Sequence, residues 1–433
     1  MLSSLRRRLS PTSTVDLPKV PSHASVINAL ASAAPKPSAS TTASPEPSTP
    51  APVHTLSSLP LWLSSLAATA LALSVAAVLP WASLYAGDYQ PSPIGPFHIA
   101  SLAQWTELLT AVCAAAGLNV LLAAACASRS HVALAATAAC LLPLPFVAPL
   151  RYAVSSVGLG LMLWIGVWKM LDVVGGTCAP AVLGSRWALA LHFVVPVEYR
   201  HAHGRPEPAR RGEAAAQLFE LLLYVGAFAA LLTLEEGAAA AVGGAAPPAL
   251  ARAARVYADV WKVYYFLRLF TGSNALILAA LGVQPITVWR APLLTSTSPS
   301  DFWAGRWNLL VHGLFKRSIF RPLVARGLPP TAAALLAFVV SGAFHEYAFM
   351  TPAGARPHLG HCFAFFVLQA PITTAEKLLR PRLAPLAARL PAALKIVGTS
   401  LLLIPLSPLF MAPLEHGGVL AELHTLLPKL VLS

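Results

Sequence analysis

Charge is what this chain has least of. Of its 433 residues only 11% are Asp, Glu, Lys or Arg, whereas a soluble globular domain carries about 25%. So little polar surface cannot cover a water-soluble body of this length, which excludes soluble enzymes, secreted scaffolds and coiled coils. Cysteine is scarce as well: the five present (Cys113, Cys126, Cys140, Cys178, Cys362) form no C-x-x-C pair and no framework spacing. Three fall in apolar runs, where a thiol behaves as a small hydrophobe, and none is assigned a disulfide, metal or nucleophilic role. Also missing are G-x-S-x-G, the P-loop, G-x-G-x-x-G and H-E-x-x-H, so hydrolase, nucleotide and zincin readings lack support.

What is present is apolar. Hydrophobic residues make up 56% of the chain and mean hydropathy is +0.66. Leu56–Gly87, Leu108–Ser128, Thr271–Trp289 and Ile396–Leu414 each lack any formal charge. A bilayer crossing takes ~20 largely apolar residues, so the expected fold class is all-α, a polytopic transmembrane helix bundle of roughly 8–10 spans. The spans expected are Leu59–Leu84, Trp105–Ala127, Val132–Leu150, Val154–Leu171, Leu218–Leu234, Val256–Phe270, Ala275–Trp289, Thr331–Met350 and Leu359–Ile372, with Ile396–Ala412 as a tenth candidate. Pro143, Pro145 and Pro149 in the third, and Pro405 and Pro408 in the last, predict broken helices. These are tolerated at membrane depth only against protein or a cavity, so the bundle should enclose an intramembrane chamber. Val256–Phe270 mixes aromatics with Arg255, Asp259, Lys262 and Arg268, which suits an interfacial helix, a helix bordering a polar chamber, or a plain aromatic anchor.

Two regions are expected: a Ser/Pro/Ala-rich disordered tail over 1–55, and a membrane-embedded domain over 56–433. The tail has no periodicity with which to bury apolar surface. Arg6-Arg7-Arg8 followed by Ser, Ala and Thr also fits an organelle transit peptide. Gly237–Pro248 reads as a linker. The net charge of +13 is scattered between spans. It therefore reads as orientation and attraction to membrane lipid rather than nucleic-acid binding, and it could also serve an anionic substrate. His201 and His203 lack a third ligand, so no metal site is expected.

Two segments carry chemistry. In the first, Ser298 and Asp301 form an S-x-x-D cap with Pro299 at the first helical position, predicting a helix start. On that helix Asn308 and His312 lie four residues apart and share a face. Trp303 and Trp307 suit the headgroup level, and Lys316, Arg317, Arg321 and Arg326 cluster beyond them. That cluster fits a positive-inside anchor as well as a phosphate site. In the second segment His345-Glu346 closes an otherwise apolar run, with Ser341 and Gly342 one turn earlier. Ionisable groups at membrane depth cost ~2.5 kcal/mol or more and usually face an interior cavity. A histidine there can act as a general base.

Phe302-Trp303-x-x-Arg306-Trp307-Asn308-x-x-Val311-His312, followed by Ser341-Gly-x-x-His345-Glu346, resembles the membrane-bound O-acyltransferase superfamily. It resembles most closely the wax synthase branch, the long-chain-alcohol O-fatty-acyltransferases. That branch usually reads Phe-Trp-Gly-Arg-Arg-Trp, where this chain has Ala304-Gly305-Arg306. The segment from His361 through Leu-Gln-Ala-Pro to Glu376 resembles it too, and the core of the match runs over 285–376. The diacylglycerol and sterol acyltransferases of the superfamily share both patterns. The resemblance implies His345 as the catalytic histidine and Asn308 as its polar partner, with Glu346 orienting the imidazole or binding substrate. Trp303, Arg306, Trp307, His312 and Ser341 become candidate substrate contacts, and Lys316, Arg317 and Arg321 candidate coenzyme A contacts. It implies an integral multi-pass protein of the endoplasmic reticulum, with a plastid as the alternative from the tail. The implied co-substrates are acyl-CoA and a fatty alcohol or other lipid hydroxyl, with no resident cofactor. The alternatives are a sterol or diacylglycerol acceptor, or a non-catalytic transporter whose His-Glu pair relays protons.

Overall fold

Leucine- and alanine-rich runs become helices here because at membrane depth each backbone amide must find its partner within its own segment. The computed structural model describes residues 97–98, 101–128, 130–147, 150–241, 248–427 and 429–430. The tail expected over 1–55 and the span expected over Leu59–Leu84 lie outside them. In chain order the longer helices are α1 (Leu102–Ser128), α2 (His131–Leu141), α3 (Ala153–Val174), α4 (Arg186–Val194), α5 (Glu213–Ala241), α6 (Pro248–Ala280), α7 (Leu309–Phe315), α8 (Pro330–Phe349), α9 (His361–Arg389), α10 (Ala392–Leu403), α11 (Ser407–His416) and α12 (Val419–Leu426). Among the described residues seven helices are long and apolar enough to cross a membrane: Leu102–Ser128, Ala153–Val174, Glu213–Glu235, Ala251–Ala280, Pro330–Phe349, Gly354–Arg389 and Ala392–His416. The chain is an integral, multi-pass, mostly helical membrane protein.

Three expectations need correction. Val256–Phe270 and Ala275–Trp289 are not separate spans, because α6 runs unbroken to Ala280. Gly282, in the left-handed region at φ 79°, then turns the chain into an extended strap, bridged at Val283 to Pro208 and at Pro285 to Tyr199. Nor is Val256–Phe270 an interfacial helix. Lys262 is buried and pairs with Asp259 at 2.6 Å on its own helix and Glu235 at 3.0 Å on α5. Finally, the supposed linker is helical to Ala241 and again from Pro248, as its alanines favour; 242–247 lie outside the described residues. The prolines act as expected: the third candidate splits after Leu141 around Pro143, and a 3-10 turn over Ile404–Leu406 separates α10 from α11.

The site rests on three helix contacts: α1 against α3, α5 against α6, and α8 against α9. Tyr152 cannot cap α3 with its side chain. Instead Glu107 of α1 accepts from the amides of Arg151 (3.1 Å) and Tyr152 (2.9 Å), and Glu422 of α12 from Ala153 and Val154 (2.8 Å each). Carboxylates at a helix N-terminus satisfy orphan amides and meet the positive end of the dipole. Lys169, wholly buried, serves the opposite end of α4, donating Nζ to the carbonyls of His192 (2.5 Å) and Val195 (2.7 Å). Gly342 on α8 lies so near α9 that a Cβ would sit 3.1 Å from the Phe363 backbone. The small-residue face therefore divides: Gly342 admits a helix, and Ser341 faces a cavity.

Candidate active site

The segment after the strap does not form the single helix its spacing predicts. Ser298 does cap a helical turn, its Oγ accepting from the Asp301 amide at 3.2 Å, with Pro299 at the first position. From Phe302 to Arg306 the turn widens to a π-helix, closed by the Trp307 amide donating to the Phe302 carbonyl at 2.8 Å. Trp307 is then extended, and Asn308 takes left-handed values of φ 40° and ψ 64°. Asn tolerates this region better than other side chains. Asn308 is thus the N-cap of α7, its Oδ1 accepting from the Val311 amide at 3.3 Å. Asn308 and His312 are therefore not two positions on one continuous helix, as the spacing suggests. Both nevertheless line the same cavity. With Oδ1 occupied by the cap, the Nδ2 donor end has no protein acceptor among the described residues.

The cavity holds about 350 Å³. Its walls come from the π-turn, α7, α8 and α9, and include Trp303, Trp307, Asn308, His312, Ser341 and His345. The His345 Nδ1 lies 2.8 Å from the Ser341 carbonyl. A carbonyl only accepts, so Nδ1 carries the hydrogen and Nε2 keeps its lone pair. Phenylalanines hold the ring: Phe366 stacks on it at 4.2 Å between centroids, and Phe344, Phe410 and Phe349 meet it edge-on. Beyond Trp303, Trp307 and Phe366, which line both, lies a second cavity of about 70 Å³ between α6, α9, α10 and α11. Trp303 is fixed by its Nε1 donating to Gln369 Oε1 at 3.1 Å. Trp307 stacks on Phe302 and meets Trp289 edge-on.

Other candidate residues are placed away from the cavity wall. The Glu346 carboxylate accepts from the amides of Gly360 (2.6 Å) and Phe363 (2.9 Å), capping α9. It neither bonds His345 nor lines the cavity, so the orienting contact expected of it is absent among the described residues. Arg306 donates to Asp301 (2.7 Å) and Thr295 (2.7 Å) and staples the loop before the π-turn. Burial pushes the Asp301 carboxyl up, but the Thr297 amide and Arg306 hold it below its ordinary value overall. Arg317 faces away, donating to the fully buried Asp172 (2.8 Å) and to Glu198 (3.1 Å). Of the basic cluster only Lys316 lines the cavity; Arg321 is exposed on the next turn. Burial, with Lys316 beside it, holds the His312 ring below its ordinary pKa.

Sequence reasoning missed three residues on α9. Phe366 forms the stacking wall, Gln369 anchors Trp303, and Lys377 lines the cavity. A buried amide in an apolar run, as at Gln369, signals a partner; Lys377 carries no local signal at all.

Residues 289–368 match the Membrane bound O-acyl transferase family. The chain is 31% identical over 121 residues to an acyl-CoA–sterol O-acyltransferase of Arabidopsis thaliana, covering 26% of this chain and 34% of the relative. It is 33% identical over 109 residues to a long-chain-alcohol O-fatty-acyltransferase of Simmondsia chinensis (24% and 30%). It is 26% identical over 198 residues to a diacylglycerol O-acyltransferase of Glycine max (43% and 37%). The matched stretch thus spans about a third of the length of each of these relatives. The stretch matched by the family, 289–368, contains both the Asn308 cap and His345, so the likeness falls on the wall of the cavity.

Proposed function

We propose that this protein transfers the acyl group of an acyl-CoA thioester to the hydroxyl of a long-chain alcohol, with His345 as general base. The observation that carries the reading is His345 itself: one ring nitrogen tied to the Ser341 carbonyl, the ring caged by phenylalanines, and the residue on the wall of a cavity shared with Asn308. The acceptor hydroxyl gives its proton to Nε2 as its oxygen attacks the thioester carbonyl. Charge developing on the carbonyl oxygen is met by Asn308 Nδ2, a pre-placed donor on the cavity wall. When the C–S bond breaks, the coenzyme A thiolate takes back the proton from His345. The ester leaves, and the histidine returns to its starting form. The aromatic and aliphatic side chains on the wall limit the water that could hydrolyse the thioester. No covalent intermediate is needed.

A fatty alcohol suits the apolar wall that the two cavities share, and the relative from Simmondsia chinensis is named for that acceptor. A sterol is the second reading, because the relative from Arabidopsis thaliana is named for it at similar identity. We assign the protein to the endoplasmic reticulum membrane. The test is purified protein with labelled acyl-CoA and a panel of fatty alcohols, sterols and diacylglycerols, read by lipid mass spectrometry. A wax ester as the dominant product supports the reading. A sterol ester or triacylglycerol moves the acceptor, and label that never leaves coenzyme A rejects acyl transfer.

A further inference from the structure

A buried hydrogen bond behind the cavity governs part of its wall. Trp289 on the strap donates Nε1 to Oγ1 of Thr271 on α6 at 2.9 Å. Both residues are buried, at 4% and 7% exposed. The Thr271 hydroxyl commits its own hydrogen to the Leu267 carbonyl one turn back, at 2.8 Å. That back-bond fixes the rotamer, so Oγ1 is a fixed acceptor on a spanning helix.

The strap in turn holds the segment that carries Asn308. On either side of Trp289, the Val288 carbonyl accepts from the Leu309 amide at 2.8 Å, and the Arg290 amide donates to the Arg306 carbonyl at 3.2 Å. These two bonds bracket Trp307 and Asn308. The Trp289 ring also meets Trp307 edge-on at 5.1 Å and Tyr264 of α6 edge-on at 5.3 Å. Asn308 needs such a frame. Its φ of 40° and ψ of 64° lie in a region that a residue with a side chain keeps only when its surroundings over-determine it. Its own cap supplies one constraint, from Oδ1 to the Val311 amide, and the strap supplies the others. Upstream, the strap is tied through the Ile286 amide to the Glu198 carbonyl at 3.0 Å; at the bracket itself the tie is the Trp289 indole.

We propose that Thr271 is a positioning residue for acyl transfer: by fixing the Trp289 indole it holds the bracket that sets Asn308, and with it the Nδ2 donor, on the cavity wall. The inference rests on the acyl-transfer reading above and adds to it a residue that does not itself line the cavity. A valine at 271 keeps the size and the β-branch but removes the acceptor, leaving the indole N–H buried and unpaired. The strap then shifts, and Asn308 moves with it. A donor serves an oxyanion only from about 2.7–3.1 Å, and losing one costs roughly 10²–10³ in kcat. Displacing it costs part of that, about tenfold.

The test uses the full chain in nanodiscs, with Thr271→Val, Thr271→Ser, Trp289→Phe and the Thr271→Val/Trp289→Phe double variant, each also in the Asn308→Asp background. Labelled acyl-CoA and the acceptor that gives most ester report kcat and KM, normalised to the folded fraction from gel filtration. Thr271→Val should lower kcat about tenfold and leave the KM for acyl-CoA within about twofold. Thr271→Ser, which keeps the hydroxyl, should recover most of that rate. Trp289→Phe breaks the same bond from the strap side, so it carries the test if Thr271→Val does not fold, and the double variant should be no slower than the slower single. In the Asn308→Asp background, which has no Nδ2 donor to position, Thr271→Val should change kcat less than about twofold. An unchanged kcat in Thr271→Val overturns the proposal while the wild type still makes ester. A further tenfold loss in the Asn308→Asp background overturns it too, since Thr271 then acts apart from Asn308. So does a loss of folded protein with normal kcat in what remains, which makes the bond structural only. A wild type that forms no ester with any acceptor sinks the acyl-transfer reading itself, and the positioning role with it.

Discussion

His345 has two ring nitrogens, and the fold commits one of them to the Ser341 carbonyl four residues back on α8. The hydrogen is therefore on Nδ1 whatever occupies the cavity. His345→Ala should abolish ester formation, by at least about 100-fold, since a positioned base contributes roughly 10²–10⁴. The variant should elute from gel filtration as wild type does, and near-normal turnover in it would remove the base assignment. Asn308 does two things with one side chain: Oδ1 caps α7 and Nδ2 is left as a donor. Asn308→Asp separates them, because Asp keeps the capping oxygen and tolerates the left-handed backbone but has no N–H. The expected outcome is a folded protein with kcat lowered about 100-fold or more and a KM for acyl-CoA that moves little. A pure KM effect would make Asn308 a substrate-binding residue. Both side chains were legible in the sequence from polar character in apolar surroundings. The left-handed cap was not, because four-residue spacing reads the same whether or not the helix is broken between the two positions.

Helix by helix, the sequence misleads most where charge is concentrated. Lys316, Arg317 and Arg321 look alike as letters, yet only Lys316 lines the cavity while Arg317 points to α3 and the strap-facing loop. The partners that decide this, Asp172 and Glu198, are 145 and 119 residues away, beyond the reach of local pattern. Burial makes the distinction measurable. Asp172 has no exposed surface, and removing one partner of a buried pair leaves an uncompensated charge at about 3–5 kcal/mol. Arg317→Ala should therefore lower the folded yield and the melting temperature in detergent sharply, whereas Arg321→Ala should leave both unchanged. If Arg317→Ala keeps the wild-type melting temperature and raises the KM for acyl-CoA instead, the ion triad is dispensable and the phosphate reading of the sequence returns. The same logic reassigns Glu346. Its carboxylate fixes the start of α9, and through that helix the position of Phe366 against His345.

Across the whole molecule, hydropathy and proline placement were enough to find a multi-pass bundle with broken helices. Span number was harder, because α6 carries Asp259, Lys262 and Arg268 through its middle and reads as two shorter segments. Those charges are paired inside the protein, Lys262 with Asp259 and Glu235, and Arg268 with Glu220 and over the Tyr224 ring at 4.0 Å. Buried His192 and half-buried His312, both outside the spans, give the molecule a pH response whose sign follows from their surroundings. His192 is held below its ordinary pKa by burial first, then by Lys169, Arg317 and His201. His312 is held down by burial and then by Lys316. Each folded-state pKa is thus below the unfolded value of about 6.5. Above that pH both states are neutral and stability is level. As the pH falls below it, the unfolded chain binds protons that the folded chain refuses. Stability then drops by up to about 1.4 kcal/mol per pH unit for each histidine. Asp301, held below the ordinary range, keeps its charge until lower pH, whereas His201, which burial also holds down, adds to the decline, and Glu422, which burial holds up, opposes it. Melting temperature in detergent should be flat from pH 8 to about 6.5 and decline below it. His192→Gln with His312→Gln should flatten the decline. An equal slope in that double variant would place the acid sensitivity elsewhere in the bundle, the His424–Glu235 contact at 3.6 Å beside Lys262 being the next place to look.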